Sequence, residues 1–350
     1  MSRPEIQSQK IISVQLLRAI ASVSVLFGHA QTEAYQMSGG HFDRLDFHWG
    51  IGVDIFFVIS GFIMAYTSRD LFGTKGGIQR FVTRRLIRIV PIYYFYTIAM
   101  IFAVLLFSKQ LNSTQLEWDN VIASFLFFPD AVSSGKVRPL LGLGWTLNYE
   151  MFFYCIFSLG ILFNFRKGII FCLAILILLS LTGYFYNSGI TALTFWTSSI
   201  IIEFGFGILL GTAYLYQRSI DDWALFLAAL LFSLLLYLEL QDSTAETPRF
   251  IYLGLPAFIF CGAIIWFMPR NLELWMKSIA IRLGDSSYSL YLSHPFSLGI
   301  FKLFWPFPHN GSALWLFIVA ASLFAIFGGW LSYILIEKPM LEFLKKRVLL

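Results

Sequence analysis

Apolar residues along this chain run in long blocks separated by short polar stretches. Ten blocks stand out, at roughly 12–29, 50–67, 89–107, 145–163, 169–186, 195–216, 223–240, 251–267, 284–304 and 313–336. Each is close to the roughly 20 apolar residues that carry a helix across a bilayer. The pattern predicts an all-α integral membrane protein with about ten transmembrane helices in one bundle. It predicts a single transmembrane domain over 1–350, because no polar segment is long enough to form a separate soluble one. No internal repeat is visible, which weighs against an inverted-repeat transporter.

Composition sharpens this reading. Of 350 residues, 58% are apolar and 13% charged, against about 45–50% and about 25% in soluble domains. A soluble fold could not hide that much apolar surface, so the solvent is largely lipid. The net charge of +5 invites a nucleic-acid reading, but the placement of the basic residues argues for a membrane. With the N-terminus in the cytoplasm, eighteen of the 25 Lys and Arg fall in cytoplasmic segments and six in external ones, Arg18 lying within the first block. That bias predicts cytoplasmic N- and C-termini. Arg18 inside the first block and a weak cleavage site after His29 favour a retained helix over a signal peptide. Cys155, Cys172 and Cys261 lie in apolar runs, without disulfide or metal-ligand spacing.

Two external segments are long, 30–49 and 108–144. The second contains Thr114-Gln115-Leu116-Glu117, a capping-box pattern in which hydroxyl and carboxylate satisfy free helix-start donors. The apolar stretch Val121 to Phe128 follows and stops at Pro129. A short helix on the outer surface is expected, serving either as packed loop or as a lid over an outward-facing site.

Polar groups inside the blocks carry the candidate chemistry, since a charge in the bilayer interior costs at least about 2.5–3.5 kcal/mol. Arg18 and His29 are eleven residues apart, about three helical turns and about 16 Å, so both point from one face. Asp54 starts the second block at the depth of His29 and is expected to orient its imidazole. Gly61, seven residues on, shares the Asp54 face and permits close helix approach. Asn148 and Glu150 reach a similar depth in the fourth block. Glu203 is read as pairing with a neighbour. His294-Pro295 interrupts the ninth block, where His294 either satisfies a carbonyl freed by the proline or contacts substrate. Arg80, Arg84 and Arg88 form one helical stripe beside Arg85. That stripe either anchors to lipid phosphates or binds a phosphorylated co-substrate. There is no Walker-type loop and no metal-ligand spacing.

Several segments in order resemble the membrane acyltransferase 3 family, nearest to its exopolysaccharide-acetylating branch. They are Leu16-Leu-Arg18-Ala-Ile-Ala21 with His29, and Gly52-Val-Asp54-Ile-Phe-Phe-Val-Ile-Ser60-Gly61-Phe. Then come Arg84-Arg85-Leu-Ile-Arg88-Ile-Val-Pro91-Ile-Tyr93 and Trp145-Thr-Leu-Asn-Tyr-Glu150-Met-Phe-Phe-Tyr154. Tyr288-Ser-Leu-Tyr-Leu-Ser-His294-Pro295 and Glu337-Lys338-Pro339 complete the set. The resemblance implies an enzyme that moves an acyl group, usually acetyl, from acyl-CoA to a sugar hydroxyl, and it implies the family's Arg and His spaced as Arg18 and His29 are. Ser60 lacks a Gly-x-Ser-x-Gly elbow and is not read as a hydrolase nucleophile.

The resulting expectation is specific. His29, Arg18, Asp54 and Glu150 are the catalytic candidates, with His29 as base or covalent acyl carrier. Arg80, Arg84, Arg85 and Arg88 are the candidates for the CoA phosphates. Trp145, Asn148, Tyr149 and His294 are the candidates for the saccharide, which is lipid-linked or free. Acetyl-CoA or another acyl-CoA is a co-substrate, no metal or resident cofactor is expected, and the bacterial inner membrane is the expected location. The alternative is a saccharide or lipid flippase without acyl chemistry.

Overall fold

A computed structural model describes residues 12–107, 116–186, 188–216, 222–240, 247–268 and 273–348. Arg3, Lys10, Lys109, Arg218 and Arg270 of the charge bias, and Thr114 and Gln115 of the capping box, lie outside the described residues. The described chain is helical and multi-pass. Its principal helices are α1 (Ile12–Met37), α2 (Ile51–Thr67), α3 (Gly77–Phe107), α4 (Trp118–Phe125), α5 (Trp145–Gly160), α6 (Phe165–Phe185) and α7 (Thr191–Trp196). They continue with α8 (Ile202–Tyr216), α9 (Trp223–Leu240), α10 (Leu255–Trp266), α11 (Leu274–Leu303), α12 (Gly311–Ser332) and α13 (Lys338–Val348).

Each of the ten apolar blocks coincides with a helix, but the blocks are not equal. Among the described residues six helical stretches are long and apolar enough to span: α1, α3, α6, Ser199–Tyr216, α9 and Gly311–Arg347. Two apolar stretches, Ile51–Thr67 and Phe250–Trp266, are shorter. α5 has only 16 residues. α11 buries Ser286, Ser287, Ser289, Ser293, His294 and Ser297 inside the bundle, so its inner face is polar by design of the site. α9 shows the opposite face, with Leu227, Leu231, Phe232, Leu234 and Leu235 all exposed. Lipid is the solvent that such a surface requires.

Glycine sets the centre of the bundle. A Cβ on Gly61 would stand 2.1 Å from the Phe204 carbonyl oxygen, and one on Gly207 would stand 2.0 Å from that of Val58. α2 and α8 therefore touch backbone to backbone, which only glycine permits. The expected role of Gly61 is met. Pro295 lies inside α11, which runs unbroken from Leu274 to Leu303, so the ninth block is not interrupted as expected.

The expected surface helix exists as α4, with a different start. Glu117 sits at its N-cap without a side-chain cap bond. Its carboxylate instead accepts from Ser133, at 3.1 and 3.2 Å from the backbone N–H and 2.6 Å from the hydroxyl. These donors hold the exposed Glu117 carboxyl below its ordinary range. Tyr94 donates to the Phe125 carbonyl at 2.7 Å, which ties α4 to α3.

Candidate active site

Two cavities lie end to end in the bundle. The first, the arginine cavity, has about 770 Å³ of empty space, open solvent included. Its polar lining is Arg18, Ser60, Arg85, Arg88, Thr146, Glu150, Tyr154, Ser287, Tyr288 and Tyr291. Three guanidiniums face one carboxylate, so the cavity favours an anion. Glu150 accepts from Ser60 at 3.1 Å and from Tyr154 at 2.5 Å. Arg85 donates from Nη2 to Thr67 at 3.0 Å, and its Nε has no partner among the described residues. Arg18 reaches Gln15 Oε1 at 3.4 Å.

The second, the histidine cavity, has about 1620 Å³ of empty space, open solvent at its mouth included. His29, Gln31, Tyr35, Trp49, Trp145 and Arg249 line it, with residues 42–48 as a roof. Val53 and Tyr291 line both cavities and stand between them. Tyr291 is held there by hydroxyl contacts to Thr146 at 3.0 Å and to the Leu143 carbonyl at 3.3 Å. The eleven-residue spacing on α1 thus sets Arg18 on one cavity and His29 on the other.

His29 is oriented by a second histidine. Its Nδ1 lies 3.0 Å from Nε2 of His294, whose own Nδ1 lies 3.2 Å from the Leu290 carbonyl. A carbonyl only accepts, so His294 donates from Nδ1 and keeps a lone pair on Nε2. That lone pair accepts from Nδ1–H of His29. The nitrogen left to the cavity, His29 Nε2, is then an acceptor, the state a base or nucleophile needs.

Asp54 does something other than expected. It is fully buried and forms a bidentate pair with Arg249, from Nε at 3.0 Å and Nη2 at 2.9 Å. Two parallel N–H···O bonds fix a guanidinium better than one. The expectation that Asp54 orients His29 is therefore corrected: Arg249 takes both carboxylate oxygens, and His294 does the orienting. Glu203, also fully buried, lies beside Asp54 and Arg249, and the expected ion pair with a neighbour is not formed among the described residues. Neither of its oxygens has a hydrogen-bond donor among the described residues. Two carboxylates and one guanidinium share this space, and the cluster is neutral when it holds one proton.

Other expectations sort cleanly. Arg18, Arg85, Arg88 and Glu150 meet in the arginine cavity. Glu150 therefore lines a different cavity from His29. Arg80 and Arg84 are exposed, and Arg80 is turned onto Thr74, Lys75 and Gly76. Of the i, i+4 stripe only Arg88 enters the bundle, joined by Arg85 three residues before it. Trp145 lines the histidine cavity. Tyr149 donates to the Phe195 carbonyl at 2.8 Å and lines neither cavity. Asn148 is buried and outside both, its Oδ1 without a partner among the described residues. His294 is fully buried and touches His29 rather than a cavity. No described residue of 116–141 lines either cavity, so α4 packs as loop structure; the roof comes from the other long segment.

Sequence reasoning missed Arg249, Gln31, Asp43, Asp46 and Tyr291. Tyr288, Tyr291 and His294 recur every three residues, and that stripe was the available sign for Tyr291. Arg249, just ahead of an apolar block, resembled any loop cation.

A membrane bundle with an arginine-lined cavity joined to an oriented histidine suits transfer of an anion-bearing activated group. The chain belongs to the acyltransferase 3 family of membrane acyltransferases, whose acyltransferase domain matches residues 11–334. Among relatives, the exopolysaccharide production protein ExoZ of Rhizobium meliloti (strain 1021) is 31% identical over 304 residues, covering 83% of this chain and 89% of that protein. No solved structure matches the chain.

Proposed function

We propose that this protein moves an acetyl group from cytoplasmic acetyl-CoA to a hydroxyl of an exported saccharide, in a bacterial inner membrane. The observation that carries the reading is that a cationic cavity and the cavity lined by His29 share Val53 and Tyr291 in their walls, a shared wall that serves in this reading as the neck through which they connect. The basic bias of the loops supports a cytoplasmic arginine cavity and an external histidine cavity. The likeness to a protein named for exopolysaccharide production supports a polysaccharide acceptor, either polymer or lipid-linked precursor.

Arg85, Arg88 and Arg18 attract the CoA phosphates and lead the thioester toward the neck. Arg80 and Arg84, exposed on the same helix, add long-range attraction only. His29 Nε2 takes the proton of the acceptor hydroxyl as its oxygen attacks the thioester carbonyl. The tetrahedral species collapses, the carbon–sulfur bond breaks, and the leaving thiolate receives that proton from His29. Atoms and charge balance as acetyl-CoA plus alcohol giving ester plus CoA thiol.

The test is acetyl transfer by the purified protein in liposomes, from radiolabelled acetyl-CoA to crude cell-surface polysaccharide. Label on polysaccharide with wild type and none with His29→Ala is the expected result. Label trapped on the protein without acceptor would replace the base by a covalent acyl-histidine. Saccharide movement across the bilayer without any acyl donor, and no label, would replace transfer by a flippase.

A further inference from the structure

The histidine cavity contains polar groups that the transfer step does not use. Arg249 is 29% exposed and its partner Asp54 is 0% exposed. Two of its five N–H groups go to Asp54, which leaves three for a ligand in the cavity it lines. Gln31, 1% exposed, spends its Oε1 on the Leu45 N–H at 2.8 Å. Its Nε2 has no acceptor among the described residues, and neither has Trp49 Nε1. Both residues line the same cavity. Unpaired donors of this kind are costly unless something supplies oxygen.

The roof supplies the complement. Asp43 and Asp46 are exposed and line the cavity. Arg44 between them lies over the Tyr35 ring at 4.5 Å. Trp49, Trp145, Tyr35 and Tyr291 add aromatic faces to the lining. The roof is a built structure: Ser24 donates to the Trp49 carbonyl at 2.9 Å, and the His48 N–H donates to Tyr237 at 2.7 Å.

Donors, carboxylates and aromatic faces gathered round one cavity match a polyhydroxylated ring. The charge of Arg249 is already met by Asp54, and the roof presents two carboxylates, so anionic sugar is disfavoured. We propose that the histidine cavity is the acceptor site for an uncharged sugar unit, anchored by Arg249 and completed by Gln31, Trp49, Asp43 and Asp46. The proposal rests on the acyl-transfer reading above. The bidentate bond to Asp54 fixes the anchor.

The experiment uses full-length protein in lipid nanodiscs. The probe is de-O-acetylated oligosaccharide from the producing cells, separated into neutral and uronate-bearing fractions. Binding is measured first without acyl donor, so that its result stands even if acyl transfer fails. Wild type binds the neutral fraction more tightly. Arg249→Lys, Trp49→Phe and the double change Asp43→Asn with Asp46→Asn each weaken that binding by about tenfold. In transfer assays the acceptor KM rises by a similar factor while the acetyl-CoA KM stays within about twofold. The roof aspartates are exposed, so their variants fold. Tighter binding of the uronate fraction, unchanged binding in the variants, or a parallel rise of both KM values overturns the proposal.

Discussion

Two nitrogens of one ring carry the residue-scale account. Nδ1 of His29 is engaged by His294 at 3.0 Å, which fixes the tautomer and leaves Nε2 to the substrate. His29→Ala is expected to lower transfer by about 10²–10⁴. His294→Ala keeps the base but frees its orientation, for a loss of about 10². Rates per folded molecule, normalised by membrane level, check both; equal loss at the two positions would make them one functional unit instead. Asp54→Ala is a different kind of lesion. It strands a guanidinium beside a second carboxylate, and breaking such a buried pair costs about 3–5 kcal/mol, less here because Arg249 is partly exposed. A fall in detergent melting temperature is the expected readout. At this scale the eleven-residue spacing made Arg18 and His29 legible as partners on one face. His294 was not legible as the orienter, because it lies 265 residues away and sequence gives no distance between helices.

The elements were legible wherever lipid contact governs composition. α6, α9 and α12 announce themselves as apolar runs because much of their surface meets hydrocarbon. α11 was legible over 284–304 despite the serines and His294 that face inward, but its first ten residues were not, because Lys277 and Arg282 interrupt the apolar run there. The start of α10 was visible, but the π-helical turn Phe250–Gly254 before it was not. That turn and Gly254 lie against Glu203, whose Cγ is 2.8 Å from where a Gly254 Cβ would stand. The seam between α2 and α8 makes a direct prediction. Gly207→Ala drives a methyl group into the Val58 carbonyl and destabilises the fold by about 1–3 kcal/mol. Unchanged thermal stability in detergent would contradict the backbone-contact account. α4 predicts the reverse: Trp118, 68% exposed and away from both cavities, tolerates Trp118→Ala with transfer unaltered. A marked loss of transfer in that variant would restore α4 as a lid.

At the scale of the whole molecule, the bundle holds two unlike cavities. Guanidiniums gather in one, a histidine lies in the other beneath the roof of residues 42–48, and Val53 and Tyr291 stand between them. The sequence pattern conveyed the class, an all-helical membrane acyltransferase, because ordered short motifs survive along the chain. It did not convey the division into two cavities, which assigns Glu150 to one and His29 to the other. A bulky change at the neck, Val53→Trp, is expected to abolish transfer while each cavity still binds its own ligand. Separate binding of acetyl-CoA and of oligosaccharide checks this, and loss of both would show a collapsed fold instead.

The central claim is that the acyl group crosses from one cavity to the other. Inverted membrane vesicles test it most directly, with polysaccharide enclosed in the lumen and radiolabelled acetyl-CoA added outside. The account predicts label on lumenal polysaccharide with wild type and none with His29→Ala. Label that appears only when both substrates share one side of the membrane, or equal labelling by the two proteins, would contradict it.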